Sequence, residues 1–100
     1  MEAFRRKIRD EHPHLWTLLE EITTNKEIRS LDALRQNILL ESVNSMNERT
    51  VAIGEFVAKH GMGAAPKTLA ERGDSAAKKV MALAQKNMKL RELLQLAEQK

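Results

Sequence analysis

Residues 31–60 read LDALRQNILLESVNSMNERTVAIGEFVAKH, a proline-free stretch long enough for one continuous helix. Its apolar seam advances in alternating steps of four and three residues, through Leu39, Val43, Met46, Thr50, Ile53 and Val57. Such steps place side chains on one face of a helix and are typical of coiled-coil seams. We therefore predict a helix over 31–60, about 45 Å long at 1.5 Å per residue. Ser30 is placed to cap its start and Gly61 to end it, and Gly54 leaves room for a close neighbour.

A first helical region precedes it over about 2–24, with apolar residues at helical spacing. Pro13 interrupts this region, because proline removes a backbone donor and clashes with the preceding turn. We expect a break near His12, with Pro13 at the first position of a new helix. A kinked continuous helix is the alternative. The β-branched residues Thr23 and Thr24, followed by the turn former Asn25, are expected to end the segment.

A third helix is predicted over 67–98, after a loop at 61–66. Thr68 and Glu71 have the spacing of a capping box, which predicts that they start this helix. Residues 73–75 either kink it or restart it with Asp74 as the cap. Its seam again advances in steps of four and three, through Ala76, Val80, Leu83, Asn87, Leu90, Leu94 and Ala97. Asn87 either fixes the register of this seam as a buried amide or lies at its boundary.

These segments predict an all-α fold in a single helical domain over 1–100. We expect an elongated antiparallel helical hairpin or a three-helix bundle, with the first helix broken or kinked near Pro13. Sustained alternation of apolar and polar residues, the signature of strands, is missing from the sequence. The core of so long and thin a bundle is small. Self-association into a homo-oligomer, or a bound partner helix, would cover apolar seams that the chain leaves open.

The composition fits a folded protein of the cytoplasm. Hydrophobic residues make up 42% of the chain and charged residues 31%. Cysteine is absent, which excludes disulfides and thiolate chemistry. No run of 18 apolar residues is available for a membrane span, and we expect no secretory signal, because no apolar run follows the basic N-terminal residues.

The sequence indicates no catalytic, cofactor or metal site. Residues 61–68 resemble a phosphate-binding loop, but Pro66 stands where that loop needs the amide of a glycine. His12, His14 and His60 have no acidic residue or cysteine at a familiar ligand spacing. We therefore expect a protein that is not an enzyme and that holds no cofactor.

Positive charge concentrates in the second half of the chain. The stretch 59–91 holds 8 basic and 2 acidic residues. A basic surface is predicted on the third helix, formed by Lys78, Lys79, Lys86, Lys89 and Arg91. Such a surface is a solvated face, a binding site for nucleic acid, or a surface that attracts an acidic protein or anionic lipid. Aromatic residues make up only 3% of the chain, which argues against recognition by base stacking.

Three stretches resemble the FlgN-type flagellar export chaperones. Residues 18–21 (LLEE) are similar to that family's leucine-acidic segment, and residues 31–40 (LDALRQNILL) to the start of its second helix. Residues 85–94 (QKNMKLRELL) are similar to the Gln-x-Asn…Leu-Leu stretch of its third helix. The resemblance implies a non-catalytic chaperone or adaptor that binds an amphipathic helix of a type III or flagellar export substrate.

The implied mechanism is helix addition, in which the seams of the second and third helices cover a helix of the partner. The contact residues predicted on this basis are Leu83, Asn87, Leu90 and Leu94, with Met81 and Met88 beside them. Three other functions stay open. They are a small basic regulator associated with nucleic acid, an inhibitor that blocks a larger protein complex, and a subunit of a helical oligomer.

Overall fold

In a computed structural model that describes residues 1–24 and 28–99, the chain is all-α, which confirms the predicted fold class. The helices are α1 (Glu2–Glu11), α2 (Trp16–Thr24), α3 (Leu31–His60), α4 (Pro66–Glu71) and α5 (Ser75–Glu98), and a 3₁₀ turn (Pro13–Leu15) precedes α2. No strand occurs within the described ranges. Among the described helices, none is long and apolar enough to cross a membrane. The predicted turn residue Asn25 lies outside the described residues.

The first helical region is broken at Pro13 and is not a kinked continuous helix. Helix α1 ends at Glu11, and His12 takes the non-helical angles φ −135° and ψ 58°. Pro13 then occupies the first position of the 3₁₀ turn. The break follows from the ring of the proline, which supplies no N–H to the preceding turn and clashes with its carbonyl.

Both predicted ends of α3 are confirmed. The Ser30 hydroxyl accepts a hydrogen bond from the N–H of Ala33 at 3.1 Å, so it satisfies one of the free amides of the first turn. At the other end Gly61 has a φ of 84°, a backbone angle that would be strained in a residue with a side chain. The N–H of Gly61 donates to the carbonyl of Val57 at 2.8 Å and closes the helix.

The predicted capping box at Thr68 and Glu71 is wrong. Helix α4 begins at Pro66, and its N-cap is Ala65, which makes no side-chain cap hydrogen bond. Pro66 has no N–H to satisfy and a backbone angle preset for the first turn. The helix therefore starts two residues before Thr68, which leaves that hydroxyl inside the first turn.

The third predicted helix is divided in two and restarts with Asp74 as its cap. Gly73 ends α4 with a φ of 91°. The N–H of Gly73 donates to Ala70 and the N–H of Asp74 donates to Leu69, both at 3.0 Å, the Schellman arrangement of a helix end. One carboxylate oxygen of Asp74 then accepts the N–H of Ala77 at 2.9 Å, which caps α5.

The chain forms two compact units, unit 1 with residues 1–42 and 89–100 and unit 2 with residues 43–88. The buried core of unit 1 draws on α1, α2, α3 and α5 and contains Ile8, Leu15, Leu18, Leu19, Ile22, Leu34, Ile38, Leu90, Leu93 and Ala97. The core of unit 2 is smaller and contains Ala52, Phe56, Ala77, Val80 and Leu83. The single domain expected over 1–100 stays a prediction.

In unit 2, Asp74 also ties the end of α3 to the start of α5. Its second carboxylate oxygen lies 2.6 Å from Nζ of Lys59 and 3.1 Å from Nε2 of His60. The Lys59 ammonium, the amide of Ala77 and the His60 ring together hold the pKa of the Asp74 carboxyl well below its usual range. The charged form of Asp74 is therefore the one that stabilises this unit.

Replacing Asp74 tests this contact. Asp74→Asn keeps a cap acceptor but removes the charge, whereas Asp74→Ala removes both, so we expect the melting temperature at pH 7 to fall in the order wild type, Asn variant, Ala variant. Because the folded-state pKa is lowered, the stabilisation is complete above the unfolded pKa of about 4 and is lost as the pH falls below it. The wild type should thus lose its advantage over Asp74→Asn as the pH falls from 7 to 2, measured by thermal circular dichroism. An advantage independent of pH would contradict the assignment.

Candidate protein-binding face

The predicted contact residues of α5 lie mostly in positions that the chain itself covers. Leu83 is 9% exposed in the core of unit 2, and Leu90 is fully buried in the core of unit 1. Leu94 packs partly buried against the latter core, and Met81 is partly buried as well. Only Met88 is freely exposed, at 72%. The role of these five residues and of Asn87 in binding stays a prediction, but Leu83 and Leu90 are not accessible surface in this fold.

Asn87 is partly buried and its amide is hydrogen-bonded to α3, and its role in fixing the register of the seam stays a prediction. The hydroxyl of Ser45 on α3 donates to Oδ1 of Asn87 within unit 2. Ser45 is 1% exposed. The Nδ2 atom of Asn87 is also buried and has no hydrogen-bond partner among the described residues. A partly buried polar pair of this kind is costly to break and favours one alignment of the two helices.

The long seam of α3 is the surface that the fold leaves open. Within unit 2 the buried positions of this helix are Ser45, Ala52 and Phe56. Each of these buried residues is followed directly by a seam residue. Successive residues on a helix point about 100° apart, so the seam is turned about 100° away from the buried line. The seam itself is exposed, with Val43 at 49%, Met46 at 53% and Ile53 at 39%. The coiled-coil role predicted for this seam stays a prediction, since no second helix of unit 2 covers these side chains.

The exposed face is also free of charge over a long stretch. Ten residues of unit 2 lie on it and none is ionisable: Val43, Asn44, Met46, Asn47, Thr50, Val51, Ile53, Gly54, Val57 and Ala58. At about 100° per residue they span roughly half of the helix circumference. Val51, which the seam pattern misses, is 60% exposed and widens the apolar surface. We call these ten residues the neutral face of α3. The lack of charged residues along the helix is the sequence signal that would have found it.

Charged residues border the neutral face on both sides. Glu48 and Glu55 are one helical repeat apart and lie along one edge, and Arg49 lies on the other. Oε2 of Glu55 is 3.9 Å from Nζ of Lys79, a weak contact between exposed groups. The face is thus uncharged, with the polar residues Asn44, Asn47 and Thr50 among its apolar side chains, and it is acidic along one edge. Gly54 lies near its centre, and nothing lies within 4 Å of where a Cβ atom would stand there.

The predicted basic residues lie on α5. Lys78, Lys79, Lys89 and Arg91 are exposed, and Lys86 is partly buried. Lys79 directs its charge towards Glu55. Lys78 and Lys79 are neighbours and so point about 100° apart, which spreads the charge around the helix.

The chain matches no protein-family profile, no curated protein and no solved structure with which it was compared.

The pair of Ser45 and Asn87 can be tested by a double-mutant cycle. Ser45→Ala removes the donor and leaves the Asn87 amide buried without this partner, so we expect a loss of about 1–3 kcal/mol in the free energy of unfolding. Ser45→Ala combined with Asn87→Leu replaces both partners with apolar groups and should recover most of that loss. Urea unfolding followed by circular dichroism measures both. If the double variant is as unstable as the sum of the single variants, the two side chains do not act as a pair.

Proposed function

We propose that this protein is a non-catalytic adaptor of the cytoplasm that binds an amphipathic helix of a partner protein on the neutral face of α3. The observation that carries the proposal is the exposure of four large apolar side chains, Val43, Met46, Val51 and Ile53, on one uncharged face. Exposed apolar surface rimmed by polar residues is typical of sites of protein interaction. Charged residues are depleted in the centre of such interfaces, as they are here.

The spacing of the face favours a helix as the occupant. Val43, Met46, Thr50, Ile53 and Val57 follow one another in steps of three and four residues, the pattern into which a second helix packs its side chains. The glycine at position 54 lets the backbone of that helix approach closely. Helix addition to an apolar groove or face is a common way of recognising short segments of partner proteins.

The charge at the edge favours a different protein over a second copy packed antiparallel. Two copies of α3 packed antiparallel about a two-fold axis would bring the edges of Glu48 and Glu55 together, and like charges repel there. A partner helix with lysine or arginine beside its apolar stripe would instead place positive charge on these carboxylates. The partner that we propose is therefore a basic amphipathic helix.

The resemblance to FlgN-type chaperones supports a more specific form of the proposal. In that form the partner helix belongs to a type III or flagellar export substrate, which the protein shields before export. The neutral face is suited to this role because shielding needs an apolar surface and no reaction. A photo-crosslinker at position 53 in native cells should then capture an export substrate that the same crosslinker at position 85 does not capture.

The interaction can be tested with designed peptides of 21 residues. One peptide has leucine at heptad spacing flanked by lysine, and a second has glutamate in place of the lysine. We expect the lysine peptide to bind in fluorescence anisotropy and the glutamate peptide to bind at least about tenfold more weakly. Met46→Glu with Ile53→Glu should weaken binding of the lysine peptide by about tenfold or more, because it places two charges in an apolar interface.

A matched control carries the same substitutions on another exposed surface of unit 2. Ala82 and Gln85 on α5 are exposed, and Ala82→Glu with Gln85→Glu should leave the affinity unchanged. Equal binding of both peptides, or equal weakening by both double variants, would contradict the proposal. A dimer of the wild type that Met46→Glu with Ile53→Glu dissociates in sedimentation would show that a second copy occupies the face. Tight binding of a 20-base-pair DNA duplex with steep salt dependence would favour the basic surface instead.

A further inference from the structure

Two histidines and a glutamate come together in unit 1. Nε2 of His14 lies 3.0 Å from both carboxylate oxygens of Glu92. Nδ1 of His12 lies 3.9 Å from one of the same oxygens. One ligand atom from each of the three side chains falls within 4.8 Å of the others. The side chains of His14 and Glu92 are 49% and 42% exposed, so the cluster can be reached from solvent.

The sequence alone does not indicate this cluster because the glutamate is remote. Glu92 stands 78 positions from His14, on α5, while both histidines flank Pro13. A local ligand motif would hold its residues a few positions apart on one helix or loop. Only the packing of the helix break against α5 brings the carboxylate to the imidazoles.

The backbone beneath the cluster is anchored on both sides. The N–H of His12 donates to the carbonyl of Ile8, and the carbonyl of His12 accepts the N–H of Leu15, both at 2.9 Å. Leu15 is fully buried, as are Leu90 and Leu93 on either side of Glu92. The three polar side chains therefore extend from backbone segments that the core of unit 1 holds in place, which is what a metal site requires of its support.

We propose that His12, His14 and Glu92 bind a divalent transition-metal ion, with zinc as the preferred occupant. Imidazole and carboxylate are both good zinc ligands, and a set of two histidines and one glutamate is a known zinc-binding combination. Calcium and magnesium prefer oxygen ligands alone and are disfavoured here. Three protein ligands leave a fourth tetrahedral position, which water fills.

The distances between the side chains are compatible with such an ion. Around tetrahedral zinc, with bonds of about 2.0–2.2 Å, ligand atoms lie roughly 3.3 Å apart. The contacts of Glu92 with His14 at 3.0 Å and with His12 at 3.9 Å bracket this value. All three ligand atoms lie within 4.8 Å of one another, so an ion would need rotation of the partly buried His12 and Glu92 side chains and of the exposed His14 side chain to reach bonding distance. Bound zinc would cross-link the helix break to α5 and so stabilise unit 1.

Titration calorimetry of the full chain with zinc chloride tests the site. We expect one ion per chain, and a loss of affinity of about tenfold or more in both His14→Ala and Glu92→Gln. Glu98→Gln is the matched control, because it removes another exposed carboxylate from the same helix, and it should bind zinc as the wild type does. Circular dichroism establishes that each variant remains helical.

A second readout uses only the wild-type chain. In NMR spectra the imidazole resonances of His12 and His14 should shift on addition of one equivalent of zinc, while those of His60 should not. The melting temperature should rise at the same time, because the ion binds the folded chain. Absence of saturable binding, an equal response of His60, or equal weakening by Glu98→Gln would overturn the proposal.

Discussion

The packing of unit 2 depends on which line of α3 faces inward. That line contains Ser45, Ala52 and Phe56, so two of its three residues are small. Ser45 is held there by its hydrogen bond to Asn87, and Asp74 ties the last turn of α3 to the first turn of α5. The polar pair, the capped and charged junction and the buried ring of Phe56 all hold this line of the helix inward. The larger apolar residues beside this line are turned outward as a result.

Much of the fold was predictable because its signals are local. The break at Pro13, the cap at Ser30 and the end at Gly61 each follow from the backbone chemistry of one or two residues. The wrong start predicted at Thr68 is also a local effect. The capping-box spacing favours a start at Thr68, but Pro66 favours the first helical position, and the helix begins at Pro66. The sequence left open whether residues 73–75 kink the third helix or restart it with Asp74 as the cap. The left-handed conformation of Gly73 ends the first part, so the helix restarts.

The candidate sites were less predictable because they depend on packing between distant segments. Both the buried line of α3 and its exposed seam contain apolar residues. The seam is the more apolar of the two, so the sequence favours the seam for burial. This more apolar line stays exposed because the neighbouring helix of the chain determines which side of α3 is buried. Asn87 on α5 accepts a hydrogen bond from Ser45, which lies on the other line. For the same reason Leu83 and Leu90, which form an apolar seam in the sequence, are covered by the chain's own core. Glu92 meets His14 only in the folded chain.

We propose that the neutral face of α3, and not the seam of α5, receives a partner helix. Methyl-detected NMR of the chain with the lysine-flanked peptide tests it most directly. We expect shifts in the methyl groups of Val43, Met46, Val51 and Ile53, with little change at Leu83 and Leu90. Shifts centred on Met88 and Leu94, with the α3 methyl groups unmoved, would contradict it.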